Sequence, residues 1–130
     1  RWLAEHVLAH AHGLSPLSLL LLMFAAAALL TQVLSDAATT VLLTPVALAL
    51  AQGLGLPPIP FVVCTAMGAV ASFLTPIGHH GNLLILNPGQ YRFADFLRVG
   101  VPLTVLIAFA SAWMARYLWL GGPLLLFAWP

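Results

Sequence analysis

From His6 through Tyr91 the sequence offers one charged side chain, Asp36, and not a single lysine or arginine. A chain that folds in water wets its outside with charge, which supplies about 25% of the residues of an ordinary soluble domain. Here the charged share is 5%, while hydrophobic residues make up 62%. The outer surface must therefore face lipid or other apolar protein. The fold class that follows is all-α and integral to the membrane, because a helix satisfies its own backbone groups where no water is at hand. Nucleic acid is excluded as a partner, since no basic cluster exists to neutralise phosphates. The lone Cys64 excludes an internal disulfide and a cysteine metal cluster, and its apolar neighbours Phe61, Val62 and Val63 predict a buried, inert thiol.

The segments follow from where the apolar runs stop. Residues 1–14 read as an interfacial helix, with Trp2, Leu3 and Val7 in the acyl boundary and Arg1, Glu5 and His6 toward water. Residues 15–52 read as a re-entrant helical hairpin that starts at Ser15-Pro16 and carries a polar tip over 31–40. Its second limb, Val41 to Ala51, rises only about 16 Å and contains Pro45. A hydrocarbon core is about 30 Å thick, so such a limb turns back near mid-membrane.

Residues 60–86 read as a broken transmembrane helix, running as helix to Leu74. Its break spans 75–82, where Pro76, Gly78 and Gly81 stand among Thr75, His79, His80 and Asn82. Residues 91–98 predict an interfacial segment of aromatics and two arginines, Arg92 and Arg98, which the positive-inside bias places in the cytoplasm. Gly100-Val101-Pro102 leads into a last transmembrane helix over 101–120, whose Arg116 can snorkel. A chain this short that opens on Arg1 is expected to be one half of a larger permease.

Asp36 is the side chain with most to say about chemistry. An isolated carboxylate at membrane depth costs about 2.5–3.5 kcal/mol on insertion scales and marks ion or proton paths. At a surface it would instead serve as a helix cap. Thr31, Ser35, Thr39 and Thr40 surround it with hydroxyls, and hard cations take oxygen ligands from unwound helix ends. The break at 75–82 has the same character: Gly78 and Gly81 permit close backbone approach, and Asn82 can donate and accept at once. His79 and His80 read as polar lining or a proton-sensitive group, because no thiolate or acidic ligand lies nearby to complete a metal site. His6, His10 and His12 read as solvated. No nucleophile elbow, phosphate loop or carboxylate pair appears, so the chain is not expected to be an enzyme.

Taken together, the two polar stretches resemble a known family. Residues 31–45, from Thr31-Gln32-Val33-Leu34-Ser35-Asp36 to Thr44-Pro45, resemble the outer hairpin of the divalent-anion/sodium symporters, permeases of the SLC13 type. Thr75-Pro76-Ile77-Gly78-His79-His80-Gly81-Asn82, followed by residues 87–100, is similar to that family's broken helix and the entry to its last helix. The resemblance implies one of two inverted repeats, each giving a hairpin and a broken helix to a shared site. It puts Ser35 and Asp36 where the family's hairpin has Ser and Asn, with Ala37 in place of its Thr and Asn82 matching an asparagine of the broken helix. Ser35, Asp36, Ala37 and Asn82 are thus the expected substrate residues. Thr31 and Gly78 are expected to give oxygens to sodium, with Asp36, Thr75 and His79 also on the ion side. Ala37 removes a hydroxyl, and Asp36 sets a negative charge where an anion should dock. Asp36 is then protonated, or cation-bound, or the substrate is not a dianion.

The expected function is the C-terminal half of a secondary active transporter that moves a dicarboxylate or sulfate-like anion with sodium or protons. The alternatives are a cation/proton antiporter of the same superfamily and a transport-inactive structural subunit. No cofactor is expected beyond the coupling ion. The expected partners are the bilayer, a small anion, the missing N-terminal repeat and a second copy of the full protein, in a multi-pass arrangement in a bacterial or archaeal inner membrane.

Overall fold

The first helix, α1 (Pro16–Leu30), begins where Ser15 adopts an extended backbone and its Oγ accepts the Ser18 N–H at 3.3 Å, with proline in the first turn. Proline there loses only an N–H that a helix start leaves unpaired anyway. The structure, a computed structural model, describes residues 13–121. The expected interfacial helix, with His6, His10 and His12, falls almost wholly outside them.

Four further helices follow: α2 (Asp36–Gly53), α3 (Pro58–Ala69), α4 (His80–Leu86) and α5 (Phe93–Ala115), the last prolonged by a π-helical turn, Arg116–Leu120. Among the described residues all regular structure is helical. With 15 and 12 residues, α1 and α3 rise only about 22 and 18 Å. Among the described residues one helix, Phe93–Leu120, is long and apolar enough to cross a membrane, with 28 residues and a mean hydropathy of 1.8 over an 18-residue window.

The central element is α3, which packs against α1, α2 and α5, while α5 also crosses α1. The main core joins Leu19, Leu20 and Met23 of α1, Ala47 and Leu50 of α2, Phe61 and Cys64 of α3, and Ala112 of α5. In lipid there is no hydrophobic drive between helices, so close van der Waals contact must hold them, and small residues permit it. Gly68 shows the tightness: a Cβ there would lie 2.9 Å from the Ala27 Cβ and run into the Phe24 carbonyl. Gly100 of α5 likewise rests on the Phe73 carbonyl, so α5 sits directly on the segment that follows α3. Outward the chain is apolar, with Val33, Leu29, Val41, Leu84, Leu106 and Trp113 all exposed.

Element boundaries depart from the sequence reading at three places. Helix α2 starts at Asp36 and not at Val41, because Ser35 caps it there and two of its threonines bond back along it. Thr40 Oγ1 donates to the Asp36 carbonyl at 2.8 Å, and Thr44 Oγ1 to the Thr40 carbonyl at 2.7 Å. Helix α3 closes at Ala69, ahead of the expected Leu74, and the non-helical stretch is 70–79. The carbonyls of Ala71 and Ser72 are taken there by side-chain amides from elsewhere. Residues 93–98 are the first turns of α5, not a separate segment, because the Asp95 carboxylate accepts the Arg92 N–H at 2.8 Å and closes the helix start. Pro102 is consequently interior to α5 rather than its entrance.

Candidate functional site

Two interruptions of the helical chain, 31–35 after α1 and 70–79 after α3, carry the polar side chains Thr31, Gln32, Ser35, Ser72, Thr75 and His79. The first is closed by its own residues. Ser35 caps α2, its Oγ accepting the Ala38 N–H at 3.2 Å. Thr31, fully buried, donates its hydroxyl proton to Asp36 Oδ1 at 2.8 Å. Asp36 stands in the first turn of α2, where a carboxylate gains from the helix dipole. Its other oxygen, and the lone pairs of Thr31, remain as hard oxygen donors of the type a sodium-like cation takes.

The second interruption is held by groups from outside it. The Asn82 side-chain amide, on α4, donates to the Ser72 carbonyl at 2.9 Å and to the Thr75 carbonyl at 3.2 Å. Gln32 Nε2 donates to the Ala28 carbonyl at 2.8 Å and to the Ala71 carbonyl at 3.3 Å, and Thr75 Oγ1 donates to Gln32 Oε1 at 3.0 Å. Gly78 closes over the same amide: a Cβ there would stand 2.7 Å from Gln32 Oε1. Non-helical backbone at membrane depth persists only where protein or water satisfies it, and here two carboxamides do.

Of the residues singled out from the sequence, Thr31 and Asp36 are thus joined directly, and Thr75 and Asn82 are joined through the Thr75 carbonyl. Gly78 adjoins them by way of Gln32. Ser35 is engaged in its cap, and Ala37 is exposed on α2. His79 stands apart: exposed, it caps α4 by accepting the Gly81 N–H on Nδ1 at 3.0 Å, with the His80 ring edge-on at 6.2 Å. Asn82 also faces a cavity of about 330 Å³ between α4 and α5, lined by Phe73, Ile85, Tyr91 and Asp95 but by none of Thr31, Ser35 or Asp36.

One residue escaped the sequence reading, and one that it named stands out for a new reason. Gln32 was visible only as part of a polar run, although a carboxamide beside a helix end in so apolar a chain is itself a signal of backbone to be satisfied. Thr39, one turn beyond Asp36, is fully buried with its hydroxyl unpaired, whereas Thr40, Thr44 and Thr65 all bond back along their helices.

Short apolar helices that stop at a shared polar junction, beside one long spanning helix, are the construction of membrane transport proteins. The chain belongs to the citrate transporter family, whose model matches residues 1–129, and its sequence is of the SLC13 permease type. An uncharacterized transporter of Synechocystis is 44% identical over 110 residues, 85% of this chain and 18% of that protein. Sodium/sulfate cotransporter 1 of Chlamydomonas reinhardtii is 28% identical over 98 residues, 75% of this chain and 11% of the relative. Solute carrier family 13 member 2 of the rabbit is 26% identical over 106 residues, 82% of this chain and 18% of the relative. The chain therefore spans 11% to 18% of the length of these proteins. No solved structure matches it.

Proposed function

We propose that this chain belongs to the C-terminal half of a secondary active transporter that moves a dicarboxylate or sulfate-like anion, coupled to sodium or protons. The observation that carries the reading is the junction itself: two helix interruptions, tied by Gln32, gather Thr31, Asp36, Thr75 and Asn82 in an otherwise apolar chain. A scaffold gains nothing from burying such groups, which cost free energy wherever they are not paired. The Chlamydomonas relative's name supports sodium and sulfate as the pair to test first. Residues 15–52 would form a re-entrant hairpin and 60–86 a broken helix, closing one side of a mid-membrane site whose other side comes from the N-terminal repeat. The mechanism is alternating access, with the full protein a homodimer in the cell membrane. Sodium would sit on oxygens of Thr31, Asp36, Thr75 and Gly78, with His79 at its edge, and the anion at Ser35, Ala37 and Asn82.

One observation favours a second reading. Thr31 donates to Asp36, and this grouping of hard oxygen atoms suits a cation better than an anion at that position. A cation/proton exchanger of the same superfamily would use it so.

The test is uptake of labelled succinate and sulfate by the full-length protein in proteoliposomes, with and without a sodium gradient, in wild type and Asp36→Asn. Sodium-driven uptake that survives the substitution supports the symporter and makes Asp36 a tolerated variant of asparagine. Uptake driven by a pH gradient and abolished by Asp36→Asn makes Asp36 the proton-coupling group. Sodium-driven proton release without uptake of either anion establishes the exchanger and sinks the symporter.

A further inference from the structure

We propose that Gln32 is a positioning residue of this site: it holds the second interruption in register with the first and so sets the affinity for the driving cation. The inference rests on the transport reading above and adds to it a residue that touches neither ion nor anion.

The geometry is specific to a carboxamide. Both hydrogens of Nε2 are spent on carbonyls, Ala28 of α1 and Ala71 of the second interruption, while Oε1 receives the Thr75 hydroxyl. Turning the amide over would set its oxygen against two carbonyl oxygens, so only one orientation is compatible with these partners. The bonds reach 39 and 43 residues along the chain, and Gly78 leaves no room for a Cβ beside Oε1. The adjacent residue, Thr31, is the one bonded to Asp36. A single helix end therefore fixes Asp36 on one side and the backbone of 71–75 on the other. Oxygen ligands for a cation that come from both must be spaced by Gln32.

The chemistry distinguishes three side chains at this position. Leucine can make none of the bonds. A carboxylate can accept from Thr75 but repels the two carbonyls, and once protonated it recovers one donor. Glutamine makes all of them at any pH. The full-length permease, in proteoliposomes, is compared as wild type, Gln32→Leu and Gln32→Glu for the half-saturating concentration of the driving cation. Gln32→Leu is expected to raise it about tenfold, with the maximal rate within about twofold of wild type, as the loss of bonds to buried carbonyls implies. Gln32→Glu is expected to match Gln32→Leu in alkaline medium and to move back toward wild type, measured at the same pH, as the medium is acidified. A merely structural residue would not produce that pH-dependent rescue.

A second measurement is independent of transport. Ser72 is 3% exposed. In a background free of other cysteines, with Cys64→Ala, a Ser72→Cys thiol is expected to react with a membrane-permeant maleimide about tenfold faster when Gln32→Leu is added. Half-saturation unchanged in Gln32→Leu, or labelling unchanged, overturns the proposal. Absence of cation-driven uptake in the wild type defeats the transport reading instead, and labelling alone then decides whether Gln32 holds the segment.

Discussion

The two interruptions solve one physical problem in opposite ways. Segment 31–35 leaves α1 and enters α2 with local means: Ser35 caps the next helix, and Thr31 reaches Asp36 five residues on. Segment 70–79 relies on imported amides, Asn82 from α4 and Gln32 from segment 31–35 itself. The first is therefore stable wherever α1 and α2 are formed. The second exists only once α1, α3 and α4 have come together, so its shape is a property of the packed bundle and moves with it.

Substitutions can break that contrast. The largest effect is expected from Asn82→Leu, which strands the Ser72 carbonyl and leaves the Thr75 carbonyl only the Gly78 N–H at 3.3 Å. A loss of about 1–3 kcal/mol follows from the cost of one buried unpaired acceptor, read as a lowered unfolding midpoint of the full-length protein in detergent. A loss below that of the next variant would show that the imported amides are dispensable. Ser35→Ala removes one local cap and is expected to cost about 1 kcal/mol in the same assay. Its effect should stay confined to α2, leaving the reactivity of a Ser72→Cys thiol unchanged; a faster reaction there would mean that the tie through Gln32 also transmits the loss of the cap. The smallest effect is expected from Thr39→Val, which deletes a buried hydroxyl that has no partner. Stability should be unchanged or raised by up to about 1 kcal/mol. A clear loss, above all one that appears only with sodium present, would reveal a ligand on that oxygen.

The same contrast explains what could be read from the sequence. Asp36 and its hydroxyl neighbours stand out because one charge in so apolar a stretch has few places to go, and the residues that close this segment are adjacent in the chain. Pro76, Gly78 and Gly81 likewise announce that a helix stops. Where α3 stops was not legible, because Ala71 and Ser72 look helical until Gln32 and Asn82 claim their carbonyls from far along the sequence. The start of α5 was misplaced for a smaller reason: Asp95, three residues after Arg92, is an ordinary helix-start signal that the aromatics and arginines around it obscured. Ala37 was chosen by resemblance and Ser35 and His79 also for their polar chemistry, and the hydrogen bonds that tie the two segments do not include them.

Gly100 carries one more consequence. Because α5 bears on the Phe73 carbonyl at that glycine, the contact works as a fulcrum. The arm from Phe93 to Gly100 is about 10 Å long and the arm from Gly100 to Leu120 about 30 Å, at the helical rise per residue. A tilt about this point displaces the far end of α5 about three times as far as the near end. Conversely, a small push on the short arm is magnified at the far end of the helix. Pro102, two residues beyond the fulcrum, leaves the Arg98 carbonyl without its helical donor and so makes the long arm most pliable next to the pivot.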